Sequence, residues 1–539
     1  MGRGTTLAAV AALASMTCLA TPARADDPPP ARPIEQIKPL KPLRAAFSDW
    51  PPPPLDEKFE IKPHPGRAVL MNLAVLGGGT IWYWANDDFN SQDWALRWDV
   101  PSWERKLFTT EVLKFDTNDM NTNAGNHLTA GAFYYLIGRA NGLGLGASWA
   151  LNIGADLIWE YAVEFREYPS VNDLIVTGLA GPTVGEPLLQ IGRFFKHSLP
   201  TRKNRLLAVA LAPVEWLTGL MDGRRWPEPD ATDDRGLTIE RGHIFQFSLG
   251  ERAVTFNDAG WRRDTTLAAD LEVMMQRGYG QPGRWAAWSR TGAVSRLQLA
   301  LTYLEGNHLS SLFRTKTTVG GFYWQDIAAD EGGDAESVDP GAPRSGYSLL
   351  VGAASGFEYD TRHLPAETDR RAVVNVIGPQ MDWSLYSGRL HFRWEVAAYG
   401  DFAMVDSYAL GPEFVPNPNP PLTTALRARG YYYAIGATGV TRARLDYLRL
   451  SFTAECRLNH FASVDGLERD RTEPLDAGLV NLTDDRLNTM ATLMVRPWGG
   501  AVAVAAFAEW IGRRGTIDGH RATRSGHEAS AGLQLMWAP

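Results

Sequence analysis

Two periodicities divide the chain. Over residues 448–458, Leu448, Leu450, Phe452, Ala454, Cys456 and Leu458 alternate without a break against Arg449, Ser451, Thr453, Glu455 and Arg457. Residues 389–398 repeat the pattern, with Leu390, Phe392, Trp394, Val396 and Ala398 on one side and Arg389, His391, Arg393 and Glu395 on the other. A period of two puts the two sets on opposite faces of a strand. An apolar face backed by full charges suits a strand between lipid and a watery lumen, and about ten residues is the length of a tilted membrane strand. Weaker copies lie at 267–275, 297–303, 347–353, 431–439, 487–495 and 529–537. The pattern predicts an antiparallel outer-membrane barrel over 241–539 with about 12 strands, in a range of about 10–14. The connectors 330–343, 411–422 and 462–485 are long and polar and read as outward loops. Trp498-Gly499-Gly500 reads as a short periplasmic turn.

The first half follows a helical pattern. Apolar stretches cover 69–84, 145–165 and 206–221. The second could span a bilayer, but Asp156, Glu160 and Glu164 interrupt it at every fourth position and form one stripe. We therefore expect the helices of 66–223 to be packed in a soluble or barrel-enclosed domain. The fold class is α+β, a helical domain followed by the barrel. Residues 26–65 are Pro-rich and read as an extended linker.

Composition narrows the picture. Of 539 residues, 45% are hydrophobic and 21% charged, which excludes a wholly disordered chain. A balance of 53 basic to 61 acidic residues gives a charge of −8, with no basic tract to bind nucleic acid. The mean hydropathy of −0.22 argues against a polytopic helical membrane protein. The 19 tryptophans and 52 glycines suit strands with aromatic girdles. At the start, Arg3, an apolar run over 7–20 and Ala23-Arg24-Ala25 make a signal peptide over 1–25, so the mature chain begins near Asp26. Of two cysteines only Cys456 then remains, which excludes an internal disulfide, a C-x-x-C centre and a cysteine metal site. The expected location is the outer membrane, with outer-membrane lipid and the barrel-assembly machinery as partners. The final alternating strand ends on Trp537, followed by Ala538-Pro539 rather than a terminal aromatic.

Chemistry, if any, lies in the helical half. Between Asn118 and Glu186 stand His127, Tyr134-Tyr135, Arg139, Trp159-Glu160, Glu164, Ser170-x-x-Asp173 and Gly181-x-x-x-Gly185-Glu186. This block resembles a family of exported bacterial proteins known as a domain of unknown function. The resemblance covers about 70 residues, departs from His-Pro at His127-Leu128, and implies an envelope protein with no established reaction. A fainter similarity, to small membrane proteins linked to glycopeptide resistance, rests on Glu164, Asp173 and Gly181-x-x-x-Gly185.

The residues themselves allow two readings. His127, Arg139, Glu160, Glu164, Asp173 and Glu186 are the candidate site residues, able to act as acid or base if they converge in a low-dielectric place. Otherwise Arg139 pairs with Glu160 or Glu164 to neutralise a buried charge. Tyr134, seven residues from His127, shares its face. Gly181-x-x-x-Gly185 reads as a close helix contact, because the Walker Lys-Ser/Thr is missing. There is no H-E-x-x-H and no Gly-x-Ser-x-Gly, so neither a zinc protease nor a serine hydrolase is indicated, and no metal or cofactor is expected. Three functions fit: a structural or transport barrel plugged or braced by helices, an enzyme acting on envelope lipid or glycan, or a barrel-tethered interaction module reaching peptidoglycan through the Pro-rich arm.

Overall fold

The computed structural model describes residues 61–85, 96–257, 260–289, 292–304, 308–329, 343–364, 367–412, 425–464, 481–497, 500–517 and 522–537. The signal peptide over 1–25 and the Pro-rich segment up to residue 60 lie outside the described residues, as do Trp498 and Gly499. The helices are α1 (Pro65–Ala85), α2 (Val100–Phe108), α3 (Leu128–Ala140), α4 (Leu145–Ile158), α5 (Val171–Ile175), α6 (Gly181–His197), α7 (Arg202–Leu211) and α8 (Pro213–Met221). Local chemistry marks their starts. Asp99 accepts from Ser102 N to begin α2, Ser170 accepts from Asp173 N at α5, and Thr201 accepts from Asn204 N at α7. Pro213 begins α8, where its fixed φ costs nothing. Three π-helical turns, Thr122–His127, Trp159–Val163 and Val176–Ala180, run into α3, out of α4 and between α5 and α6.

Thirteen strands follow: β1 (Gly242–Phe256), β2 (Arg262–Met274), β3 (Gly283–Ser289), β4 (Val294–Leu304), β5 (His308–Ala329), β6 (Arg344–His363), β7 (Thr368–Gly388), β8 (Leu390–Asp406), β9 (Tyr431–Tyr447), β10 (Leu450–Ser463), β11 (Thr483–Val495), β12 (Val502–Ile517) and β13 (Ala522–Trp537). Every pairing is antiparallel, and β1 pairs with β13, so the sheet closes. Both β3 and β4 pair with β5, β3 over Gly321–Ile327 and β4 over His308–Thr317. They are two halves of one interrupted stave, which makes the barrel 12-stranded, as the alternation predicted. The strands β5, β6 and β7 have 22, 20 and 21 residues, about twice the expected length. Leu448, expected in a strand, sits in the β9–β10 turn at φ 54.

The start of β1 and the end of β13 share one mouth of the barrel, here the terminal mouth. The segments joining β8 to β9 and β10 to β11 leave from the opposite, far mouth, as expected for 411–422 and 462–485. The strands flanking 330–342 meet at the terminal mouth instead, beside the short β7–β8 and β9–β10 turns. The three connectors read as outward loops therefore do not share one mouth, because strand direction separates 330–343 from the other two.

The two faces follow the predicted parity. On β8, Trp394 is 39% exposed and points outward, while Arg393 is 4% exposed and points inward. Leu249, Leu267, Leu301, Phe452, Leu493 and Leu533 are exposed on the outside. The inside is packed with charge. Arg393 of β8 meets Glu272 of β2 at 2.5 Å, Lys316 of β5 meets Glu395 of β8 at 3.0 Å, and Arg486 of β11 meets Asp360 of β6 at 3.1 Å. Arg314 of β5 reaches Glu455 of β10 at 3.4 Å. None of these pairs joins neighbouring strands, so each crosses the lumen. Towards the far mouth, Leu410 and Leu426 from the β8–β9 connection pack among Val373, Ala403, Val405, Tyr432 and Phe461.

The helices are not in the lumen. Phe115, Leu128, Ala132, Val176, Ala180 and Val184 pack on Phe357, Ala372, Val374, Phe402 and Met404. Those strand positions alternate with the inward-facing Glu358, Arg371, Val373, Asp401 and Ala403, so they face outward. Ile191, Phe194 and Phe195 of α6 likewise cover the outward Phe245, Val273 and Leu297. The first contact lies nearer the far mouth and the second nearer the terminal mouth. The helical block thus spans the height of the outer wall. The expectation of a barrel-enclosed domain is corrected here: the wall supplies the apolar surface on which the helices pack, and the lumen is crossed by its own ion pairs around a cavity of about 260 Å³.

Candidate functional site

The six candidate residues fall into two groups and one outlier. Glu186 lies on the face of α6 turned to α3, and its carboxylate is 1% exposed. It accepts from Arg139 Nε at 2.9 Å, Arg139 Nη2 at 3.1 Å, the Tyr135 hydroxyl at 2.7 Å and Gln190 Nε2 at 2.6 Å. Arg139 therefore pairs with Glu186, not with Glu160 or Glu164. The expected partners lie in and just after the π turn that ends α4, but it is α6 that brings a carboxylate against Arg139 of α3. Glycines make that approach possible: a Cβ on Gly131 would run into the Thr177 carbonyl, and one on Gly181 into the Gly131 backbone. Gly181-x-x-x-Gly185 is thus the helix contact it was read to be. Glu186 and Gln190 also press on Gly292 at the break between β3 and β4, where φ is +73° and a side chain would clash with both.

The second group is a chain of buried hydrogen bonds. His127 Nε2 lies 3.4 Å from Asp173 Oδ1, with the imidazole 18% and the carboxylate 3% exposed. Asn172 Nδ2 donates to Asp173 Oδ1 at 2.8 Å, and the Ser170 hydroxyl donates to Asn172 Oδ1 at 2.9 Å. Ser170 N donates to Glu160 Oε2 at 2.7 Å. Asp116 N reaches Asn172 Oδ1 at 2.9 Å, and Asn123 Nδ2 reaches Asp116 Oδ1 at 2.9 Å and the Tyr433 hydroxyl of β9 at 2.8 Å. The π turns explain the convergence. Each inserts a residue into its helix, and two of them carry His127 and Glu160 into this chain. Ser170-x-x-Asp173 is both a helix cap and part of this chain.

Glu164 stands apart, accepting from its own neighbour Trp159 Nε1 at 2.9 Å. Tyr134 packs on Leu76 and Ala155. Asp116, Asn123, Gln190, Tyr431 and Tyr433 were not singled out in the sequence. Only the run Tyr431-Tyr432-Tyr433 carries a signal, because alternation sends Tyr431 and Tyr433 outward to the helices. Among the described residues no three His, Cys, Asp or Glu side chains are grouped to hold a metal. The His127–Asp173 pair can orient an imidazole for proton transfer, whereas Glu186, saturated by four donors, is suited to holding α3 against α6.

A separate tie joins the helices to the barrel entrance. Asp230 lies 3.2 Å from His197 Nδ1, at the end of α6, and 3.1 Å from Arg241 Nε, just before β1. Burial alone would raise its pKa, but the His197 hydrogen bond and the Arg241 charge outweigh burial and hold it at about 2.

None of the curated proteins is similar to the chain. Solved structures similar to it are outer-membrane barrels. OmpT of Vibrio cholerae is 9% identical, with 56% of this chain and 98% of that one covered at a TM-score of 0.20. The translocator domain of the autotransporter NalP from Neisseria meningitidis is 13% identical, with 60% and 95% covered at 0.16. The outer membrane channel DcaP of Acinetobacter baumannii is 8% identical, with 57% and 99% covered at 0.19. Residues 112–214, which hold both polar groups, match the family described as a domain of unknown function (DUF3943).

Proposed function

We propose that the chain is an exported outer-membrane protein with a structural role: its barrel is a closed scaffold that holds the helical block in lipid against the outer wall. The observation that carries this reading is the set of ion pairs crossing the lumen between non-neighbouring strands. A conducting channel keeps such charges apart around water; here they meet, and the far mouth is packed with apolar side chains. The outside of the helical block supports the lipid assignment. Leu70, Ile81 and Trp82 of α1 are 68%, 73% and 59% exposed, and Leu220 and Met221 of α8 are both 58% exposed. Outer-membrane lipid is thus the first partner, and β13 is the strand on which the barrel-assembly machinery would act. The Pro-rich arm, by composition, is suited to reach the periplasm or peptidoglycan.

The test is conductance of the full-length protein in planar lipid bilayers. We expect no stable channel steps from the wild type, and steps from a Lys316→Ala/Glu395→Ala variant that removes one crossing pair while Arg393 and Arg442 keep Glu272. Steady wild-type steps would contradict the closed scaffold. A second reading is favoured by the His127–Asp173 pair: an enzyme acting on envelope lipid, with His127 as its base. It requires His127→Ala to abolish turnover of a lipid substrate without lowering the thermal midpoint.

A further inference from the structure

The terminal mouth opens into a cavity of about 850 Å³, lined by seven arginines against two aspartates, Asp233 and Asp446. The arginines are placed by a rule. Arg241 precedes β1, Arg344 opens β6, Arg389 is the β7–β8 turn, Arg449 lies in the β9–β10 turn and Arg496 follows β11. From β5 onward the connections at this mouth, β5–β6, β7–β8, β9–β10 and β11–β12, each deliver one guanidinium to the same rim. The deeper lumen is different: there Arg393 is matched by Glu272 and Asp382, and Arg442 by Glu272 and Glu395. At the rim, Arg241 is matched by Asp230 and Arg444 by Asp446. Arg449 reaches only the Pro497 carbonyl, at 3.1 Å. Among the described residues no carboxylate lies within ion-pair distance of Arg389, Arg449 or Arg496. Burial and the neighbouring Arg444 push the Arg496 pKa down, as expected where positive charge is in excess. One wall of the cavity carries the Tyr386 and His391 rings stacked 4.5 Å apart.

We propose that this vestibule binds a phosphate-bearing anion, with Arg389, Arg449 and Arg496 as its principal ligands. Guanidinium groups offer paired donors matched to phosphate oxygens. A narrow low-dielectric mouth lined by one sign of charge concentrates the opposite sign. The volume exceeds that of a single phosphate, so the ligand carries at least two charged groups or a phosphate on a larger body. This inference does not depend on the structural role proposed for the barrel, since binding is read separately from conductance.

The test uses the full chain in neutral detergent and inorganic pyrophosphate as the probe, followed by isothermal titration calorimetry. Saturable binding is expected, with at least a tenfold loss in Arg389→Gln/Arg496→Gln. Among the described residues neither side chain makes an ion pair, so the thermal midpoint of that variant should stay within about 2 °C of wild type. Competition in the same titration identifies the source of the phosphate. Monomeric short-chain phosphatidylglycerol that displaces pyrophosphate, where short-chain phosphatidylcholine does not, assigns the site to a lipid headgroup; pyrophosphate binding that neither lipid displaces assigns it to a soluble ligand. No saturable binding, or equal affinity in the double variant, overturns the proposal.

Discussion

The Arg139–Glu186 pair shows what a buried charge requires. Its carboxylate accepts four hydrogen bonds and sits beside the barrel wall. Removing only the cation strands the anion, so Arg139→Met should destabilise the protein by about 3–5 kcal/mol. Arg139→Met/Glu186→Met should recover part of that loss in denaturant unfolding, whereas losses that simply add would argue against a specific pair. The sequence made it legible that Arg139 needs a carboxylate in this apolar setting. It could not reveal which one, because the i, i+4 stripe of Glu160 and Glu164 is a local pattern and the choice of neighbouring helix is not. The same lesson holds inside the barrel. Alternation placed Arg393 inward, where a watery lumen would tolerate Arg393→Leu. Bonded to Asp382 and Glu272 in a packed lumen, Arg393 should instead be as sensitive as the lipid-facing Trp394. Trp394→Arg puts a cation towards lipid at about 2–4 kcal/mol. Heat-modifiable mobility on gels should fall for both variants, and a fully folded Arg393→Leu would contradict the packed lumen.

At the scale of elements, strand parity was legible because a period of two needs no tertiary information. Phe402 and Met404 of β8 were apolar and outward by that rule; that helices rather than lipid cover them was not. The interruption between β3 and β4 was equally hidden, since Gly292 reads as an ordinary turn until Glu186 and Gln190 are seen against it. The Gly131–Gly181 crossing gives a direct test. Gly131→Val should separate α3 from α6 and raise protease cleavage within 112–214 while leaving the barrel resistant; an unchanged digestion pattern would mean that the crossing is not close. The tie at Asp230 predicts a pH dependence. A carboxyl held at about 2, below its value near 4 in an unfolded chain, contributes stability above pH 4 that is lost as the pH falls towards 2. Amide exchange around residues 222–241 should accelerate across that window, and Asp230→Asn should remove the dependence.

At the scale of the molecule, a chain of 539 residues carries two apolar surfaces that water does not favour: the outer barrel wall, and the helical block with its exposed α1 and α8. Packing the block on the wall buries part of each, and on the proposed reading lipid covers the rest. The apolar stretch over 145–165, too charged by composition to meet lipid, keeps Asp156 and Glu160 on the buried side while Ile153, Leu157 and Ile158 face outward. Its polar stripe is therefore compatible with a membrane, which reverses the argument from composition alone. The decisive measurement is spin-label accessibility at Ile81, Leu70 and Leu267 in reconstituted bilayers, comparing collisions with oxygen and with a water-soluble nickel chelate. Labels on α1 should show the oxygen-rich, nickel-poor signature of the barrel-face label at Leu267. Strong nickel access at Ile81 and Leu70, alongside a lipid signature at Leu267, would place the helical block in water and contradict the account.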